Sequence, residues 1–170
     1  NYGLEFIDEV TDDAPFPYVN ANVRNATTKE LMYKPYVMIE KEVVDSNGEK
    51  TLINIGVTGI VPPQILKWDK ANLEGRGTGG DGVEAVSAVG AQMKEAGADV
   101  VVVLSHSGMG DATHEKGEED VSYLLSTIED VDAIITGHAH GVFPGKVDSS
   151  ITNVDIEKGT MNGKPIVMSG

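Results

Sequence analysis

The residues best suited to chemistry in this chain are its four histidines, His106, His114, His138 and His140. Imidazole is a common ligand for Zn, Mn, Fe and Ni. His106 stands two residues past the apolar run Val100-Val101-Val102-Val103-Leu104. His138 and His140 lie in Thr136-Gly137-His138-Ala139-His140-Gly141, just past the run Val131 to Ile135. Gly108, Gly137 and Gly141 let the backbone approach closely and turn sharply there. Taken singly, each histidine reads as a hydrogen-bonding loop residue. Three of them at the ends of two apolar runs read as metal ligands, and His106, His138 and His140 are assigned that role. An H-x-H pair can place its rings on one ion or on two neighbouring ions. His114, inside the polar stretch Asp111 to Lys116, reads as a solvated side chain. Asp111 is a weak ligand candidate, and no other carboxylate adjoins a strand end with a glycine beside it. With no cysteine, thiolate sites, thiol nucleophiles and disulfides are excluded. Three neutral histidines suit one Zn with an open position. Phosphate-ester hydrolysis often uses two metals about 3.5–4 Å apart bridged by a carboxylate.

The two apolar runs read as parallel strands buried on both faces. A helix precedes the first: Val83, Val86, Val89 and Met93 recur at helical spacing, Asp81 is suited to the N-cap, and Gly97 closes it. A second helix lies between the runs, with Val121, Leu124, Leu125 and Ile128 on one face and Glu118, Glu119 and Asp120 suited to its N-terminus. This is a βαβ unit, and ligands of open α/β sheets bind at the carboxyl ends of their strands. Upstream, Tyr36 to Val44 and Thr51 to Ile60 read as a hairpin turning at Asn47-Gly48 and stopped by Pro62-Pro63. Pro17 to Val23 reads as a strand, and Ile151 to Met168 as two short strands around Asn162-Gly163. Gly75, Gly77 and Gly80 spell G-x-G-x-x-G, but Trp68 to Ala71 before them is no strand, so Gly75 to Gly82 reads as a flexible connector rather than a phosphate loop.

A chain of 170 residues fits one domain. Its 13 basic against 27 acidic residues give a net charge of −14. Without a Lys/Arg cluster to displace counterions, a polymeric nucleic acid is not the expected partner. A small anionic substrate is compatible, because a bound metal reverses the local field. No run approaches the roughly 20 apolar residues of a membrane helix. The opening Asn1-Tyr2-Gly3, with no initiator Met or signal peptide, reads as the start of a piece of something longer.

Leu104-Ser105-His106-Ser107-Gly108 and Gly137-His138-Ala139-His140 resemble the last two motifs of the calcineurin-like metallophosphoesterases. Asn1-Tyr2-Gly3-Leu4, Asn20-Ala21-Asn22-Val23, Gly56 to Ile65, Trp68 to Gly75, Gly97 to Leu104 and Val142-Phe143-Pro144-Gly145 narrow the resemblance. They point to the bacterial 2′,3′-cyclic-nucleotide 2′-phosphodiesterase/3′-nucleotidase group of the 5′-nucleotidase family. The resemblance implies the C-terminal portion of an α/β/β/α sandwich with a mixed sheet. It implies two divalent metals, Mn, Zn or Fe, with His106 as the lone histidine ligand and His138 and His140 divided between the two ions. The family's D-x-H, G-D and G-N-H-E motifs have no counterpart here, nor has its following substrate-binding domain. Residues 1–170 therefore read as a partial catalytic domain holding ligands but not the acid that assists the leaving group. Asp120 stands where the family often has Asn. The implied parent is a phosphoesterase of cyclic and 3′-nucleotides, secreted, in the cell wall or in the periplasm. A 5′-nucleotidase or UDP-sugar hydrolase of the same superfamily and a non-catalytic metal-binding domain are the alternatives. Exposed strand edges make self-association an expectation.

Overall fold

A computed structural model of the chain describes residues 3–147 and 151–170. The Asn1-Tyr2 start of the resemblance lies outside the described residues. The elements are α1 (Leu4–Asp12), β1 (Val23–Asn25), β2 (Tyr36–Val44), β3 (Lys50–Ile60), two single turns α2 (Ile65–Trp68) and α3 (Lys70–Leu73), β4 (Gly77–Gly79) and α4 (Gly82–Glu95). They continue with β5 (Val100–Ser105), α5 (Ser122–Leu125), β6 (Ala133–Thr136), β7 (Val142–Phe143), β8 (Val154–Asp155), β9 (Thr160–Met161) and β10 (Lys164–Ser169).

The main sheet runs in the order β2-β3-β5-β6-β10-β9-β8, with β7 also on β10. β3, β5, β6 and β10 are parallel neighbours, whereas β2 joins β3 as the expected antiparallel hairpin. Its turn closes because the Asp45 carboxylate accepts the N–H groups of Asn47 and Glu49, each at 2.8 Å, while Gly48 takes a φ of 84°. The mixed α/β architecture and the βαβ unit expected from the sequence are both present.

α4 covers one face of the sheet. Asp81 caps it, accepting the Glu84 N–H at 2.9 Å. Its C-terminus closes with Gly97 at a φ of 93°, the Gly97 N–H on the Lys94 carbonyl and the Ala98 N–H on that of Met93. Val86, Val89 and Met93 are buried with Val101, Val103 and Ile134 in one core, each full burial contributing about 1.5–3 kcal/mol. Gly56 is required beneath them, since a Cβ there would stand 2.7 Å from the Met93 sulfur.

Several sequence expectations are corrected. The Val100 to Leu104 run is not buried on both faces. Only the residues facing α4 are enclosed, and Leu104, Ile135 and Val167, aligned across β5, β6 and β10, are exposed on the other face. The second helix is shorter than Val121 to Ile128, one turn over Ser122–Leu125, and the strand after it starts at Ala133 rather than Val131. Pro17 to Val23 is mostly not a strand: pairing there is a single bridge from Val19 to Lys34, and β1 begins at Val23. Asn20 and Asn22 bend this segment instead. Asn20 Oδ1 accepts the N–H groups of Asn22 and Val23, and buried Asn22 bonds Val61 and Gly80 through its amide. The Gly-rich stretch is not a free connector, because Gly77–Gly79 pairs antiparallel with β1. Glycine is needed there for close packing: a Cβ on Gly79 would meet the Pro63 Cα at 2.8 Å. The tail has the two expected strands and an additional one, β8.

Candidate metal centre

The site begins with register. Leu104 pairs with Ile135 and Ser105 with Thr136, so β5 and β6 end side by side. A buried hydroxyl network ties those ends to the start of α5. Ser122 Oγ lies 3.1 Å from Ser105 Oγ and 2.6 Å from Thr136 Oγ1. The Ser107 carbonyl accepts from this hydroxyl group, through both Ser122 and Thr136. The Ser107 hydroxyl donates to the Glu119 carbonyl at 2.9 Å and receives the Val121 N–H at 2.8 Å. Each buried hydroxyl is thus partnered, as burial demands.

Above this network the histidines emerge. The His106 N–H donates to the Ile60 carbonyl at the end of β3. The His106 and His138 rings lie 5.1 Å apart between centroids, inclined at 54°. Trp68, half exposed on α2, stacks on His138, 5.2 Å away between centroids at 24°. Three consecutive parallel strands, β3 through α2, β5 and β6, therefore deliver the site at their carboxyl ends. His138 and His140 hold left-handed backbone, with φ of 66° and 52°. Such conformations cost on the order of 1–3 kcal/mol and concentrate at functional sites. His140 is exposed. Burial, then the neighbouring His138 and His140, lowers the His106 pKa below the ordinary imidazole value, which favours the neutral, ligating form.

Two carboxylates that the sequence reading missed join the histidines. Glu119 Oε1 is 2.7 Å from His138 Nε2, and Asp120 Oδ1 accepts the Gly108 N–H at 2.6 Å. One ligand atom each from Glu119, Asp120 and His138 fall within 4.8 Å of one another; His106 and His140 are not in that set. The legible signal was the Glu118-Glu119-Asp120 run, read as complementing a helix dipole, with Asp120 noted as standing where the resembled family often has Asn. Asp111 is exposed and accepts the Thr113 N–H at 2.7 Å. His114 is not merely solvated. Its Nε2 lies 3.1 Å from the buried Asp81 carboxylate, which also receives the Gly117 N–H at 2.7 Å, so it pins the loop after β5 to the N-terminus of α4. The donors gathered here are imidazole nitrogen and carboxylate oxygen without thiolate, a set that fits Zn, Mn or Fe.

The family model described as calcineurin-like phosphoesterase matches residues 11–142, a span that holds all three candidate histidines. The chain belongs to the calcineurin-like phosphoesterase family. Members of this family use divalent metals, and the named relatives are phosphodiesterase and nucleotidase hydrolases. Over its whole length the chain is 47% identical to a 2′,3′-cyclic-nucleotide 2′-phosphodiesterase/3′-nucleotidase of Salmonella typhimurium, of which it covers 26%. It is 44% identical, over 99% of its length, to the trifunctional nucleotide phosphoesterase protein YfkN of Bacillus subtilis, covering 12% of that protein. The crystal structure of calcineurin-like phosphoesterase YfkN from Bacillus subtilis superposes with a TM-score of 0.94 at 43% identity, covering all of this chain and 51% of that one. The chain thus spans about a quarter of the length of the Salmonella relative. No helix among its described residues is long and apolar enough to cross a membrane.

Proposed function

We propose that these residues form part of a two-metal phosphoesterase that hydrolyses 2′,3′-cyclic nucleotides and 3′-nucleotides. The observation that carries this reading is the meeting of His106 and His138 at adjacent parallel strand ends, in a chain 47% identical to a protein named for those activities. His106, His138 and His140 would hold the metals, with Mn, Zn or Fe as candidates. The bound metals supply Lewis acidity toward phosphoryl oxygens and a water of lowered pKa. The chain's own part is positional. The Ser105-Ser107-Ser122-Thr136 network fixes the strand ends, and Trp68 and Glu119 fix the His138 ring. No residue here is assigned as the acid for the leaving group.

In this reading residues 1–170 are a partial catalytic domain, and the remaining ligands and the substrate-binding domain belong to the longer protein. Resemblance to the family supports a place outside the cytoplasm, in the periplasm, in the cell wall or secreted. The exposed Leu104-Ile135-Val167 row supports self-association of the 170 residues, which sedimentation against concentration tests.

The deciding experiment is hydrolysis of 2′,3′-cyclic AMP with added Mn, by the longer protein and by the 170-residue chain, each beside its His138→Ala variant. The expected result is turnover by the longer protein, lost on chelation, restored by Mn and absent in the variant, with little or none from the short chain. Retained activity in His106→Ala/His138→Ala overturns the ligand assignment. The Bacillus relative is named trifunctional, so 5′-nucleotides belong in the same substrate panel.

A further inference from the structure

We infer that Glu119 is a positioning residue for His138 rather than a metal ligand: it holds Nε2 so that Nδ1 is the nitrogen offered to the metal. This rests on the reading of His138 as a ligand. The two ring nitrogens of a histidine are distinct, and the hydrogen bond made by one decides which is left to ligate. Ligating histidines almost always donate their other N–H to a carboxylate, a carbonyl or water. Here the Glu119 carboxylate lies 2.7 Å from Nε2, a charge-assisted hydrogen-bond distance. Facing an ionised carboxylate, Nε2 is the nitrogen placed to donate, which leaves Nδ1 for the metal.

The surroundings keep Glu119 in this role. Its carbonyl receives the buried Ser107 hydroxyl, so its backbone is anchored to the loop after β5. Asp120, the next carboxylate, is committed to the Gly108 N–H. The Trp68 indole, stacked at 24°, restricts the ring to its own plane. A ring held at one edge and over one face presents its remaining nitrogen in a single direction. The rare left-handed backbone at His138 belongs to the same arrangement, because it sets where the ring starts from.

The test uses the longer protein to which these residues belong, labelled with 15N at histidine. In the metal-free protein the His138 Nε2 proton is expected to be protected from solvent exchange, and Glu119→Ala is expected to lose that protection. With Zn bound, long-range 1H–15N correlations should show Nδ1 as the ligating nitrogen while Nε2 keeps its proton. Zn affinity, measured by chelator competition, should fall about 10–100-fold in Glu119→Ala. Glu119→Gln, which keeps an acceptor oxygen, should recover part of the loss. Glu119 is half exposed, so its replacement leaves the core intact. Ligation through Nε2, or unchanged protection and affinity in Glu119→Ala, overturns the inference alone. Failure of Zn to bind the unaltered longer protein or to perturb its His138 ring overturns the ligand reading beneath it.

Discussion

The Asp120 carboxylate reaches across the loop after β5 and accepts the Gly108 backbone N–H at 2.6 Å. This contact leaves no room for a side chain at residue 108. A Cβ there would lie 2.4 Å from Asp120 Oδ1 and 2.9 Å from the Ala139 Cβ. Gly108→Ala must therefore move either the loop that carries His106 or the one that carries His138. A loss of about 1–3 kcal/mol in urea unfolding is expected, together with weaker Mn binding. Gly137→Ala meets nothing within 4 Å and should stay within about 0.5 kcal/mol of the parent. Equal effects of the two substitutions would refute the steric account.

Thr136→Val tests the hydroxyl network. Valine keeps the volume but removes the oxygen that contacts Ser122 and the Ser107 carbonyl, both buried. Stability should drop by about 0.5–1.5 kcal/mol, the net worth of a lost hydrogen bond, because Ser122 still donates to the Ser107 carbonyl. A neutral outcome would mean that water takes the hydroxyl's place.

Asp81 gives the acid response a sign. Its side chain is 1% exposed. Burial pushes its pKa up, but the N–H groups of Glu84 and Gly117 and the His114 ring outweigh burial, and the net direction is down. As pH falls, the unfolded chain takes this proton first. The contribution to stability is thus complete above the ordinary carboxylate pKa of about 3.9 and is lost as pH falls through the lower folded value. Urea midpoints from pH 6 down to pH 2 should fall more steeply for the parent than for Asp81→Asn. Parallel curves would show that Asp81 carries no such linkage.

Trp68→Ala uncovers the His138 ring. A stacked ring contact is worth about 0.5–1.5 kcal/mol, so Mn affinity should weaken by up to about tenfold. Trp68→Phe should retain most of it. If alanine matches the parent in a metal titration, the indole does not position the histidine.

Much of this was legible before the fold was seen, and what was missed has physical causes. The parallel strands and the hairpin were readable because apolar runs and Asn47-Gly48 are local signals. So was the approach of His106 to His138, since both follow strands joined by a single crossover. Glu119 and Asp120 were not readable as site residues. Their role depends on how the first turn of α5 docks against two loops, and no spacing rule encodes that. His114 is exposed as expected, but its contact was not readable because its partner, Asp81, lies 33 residues away in sequence. The Gly-rich stretch looked mobile because composition reports backbone freedom, while the contact with Pro63 that demands small residues is tertiary. The run Val100 to Leu104 looked doubly buried because valine is as common on a half-covered strand as on an enclosed one.

The ligand candidates His106, His138 and His140 stand one, two and four residues beyond the strands, whereas Val101, Val103, Ile134 and Ile166, inside them, set the pairing against α4. Chemistry and framework are therefore written in different letters of the same segments. A library randomised at 106, 138 and 140 can search for other metal preferences while the sheet beneath keeps its alignment. Altering the strand interiors would shift all three positions together.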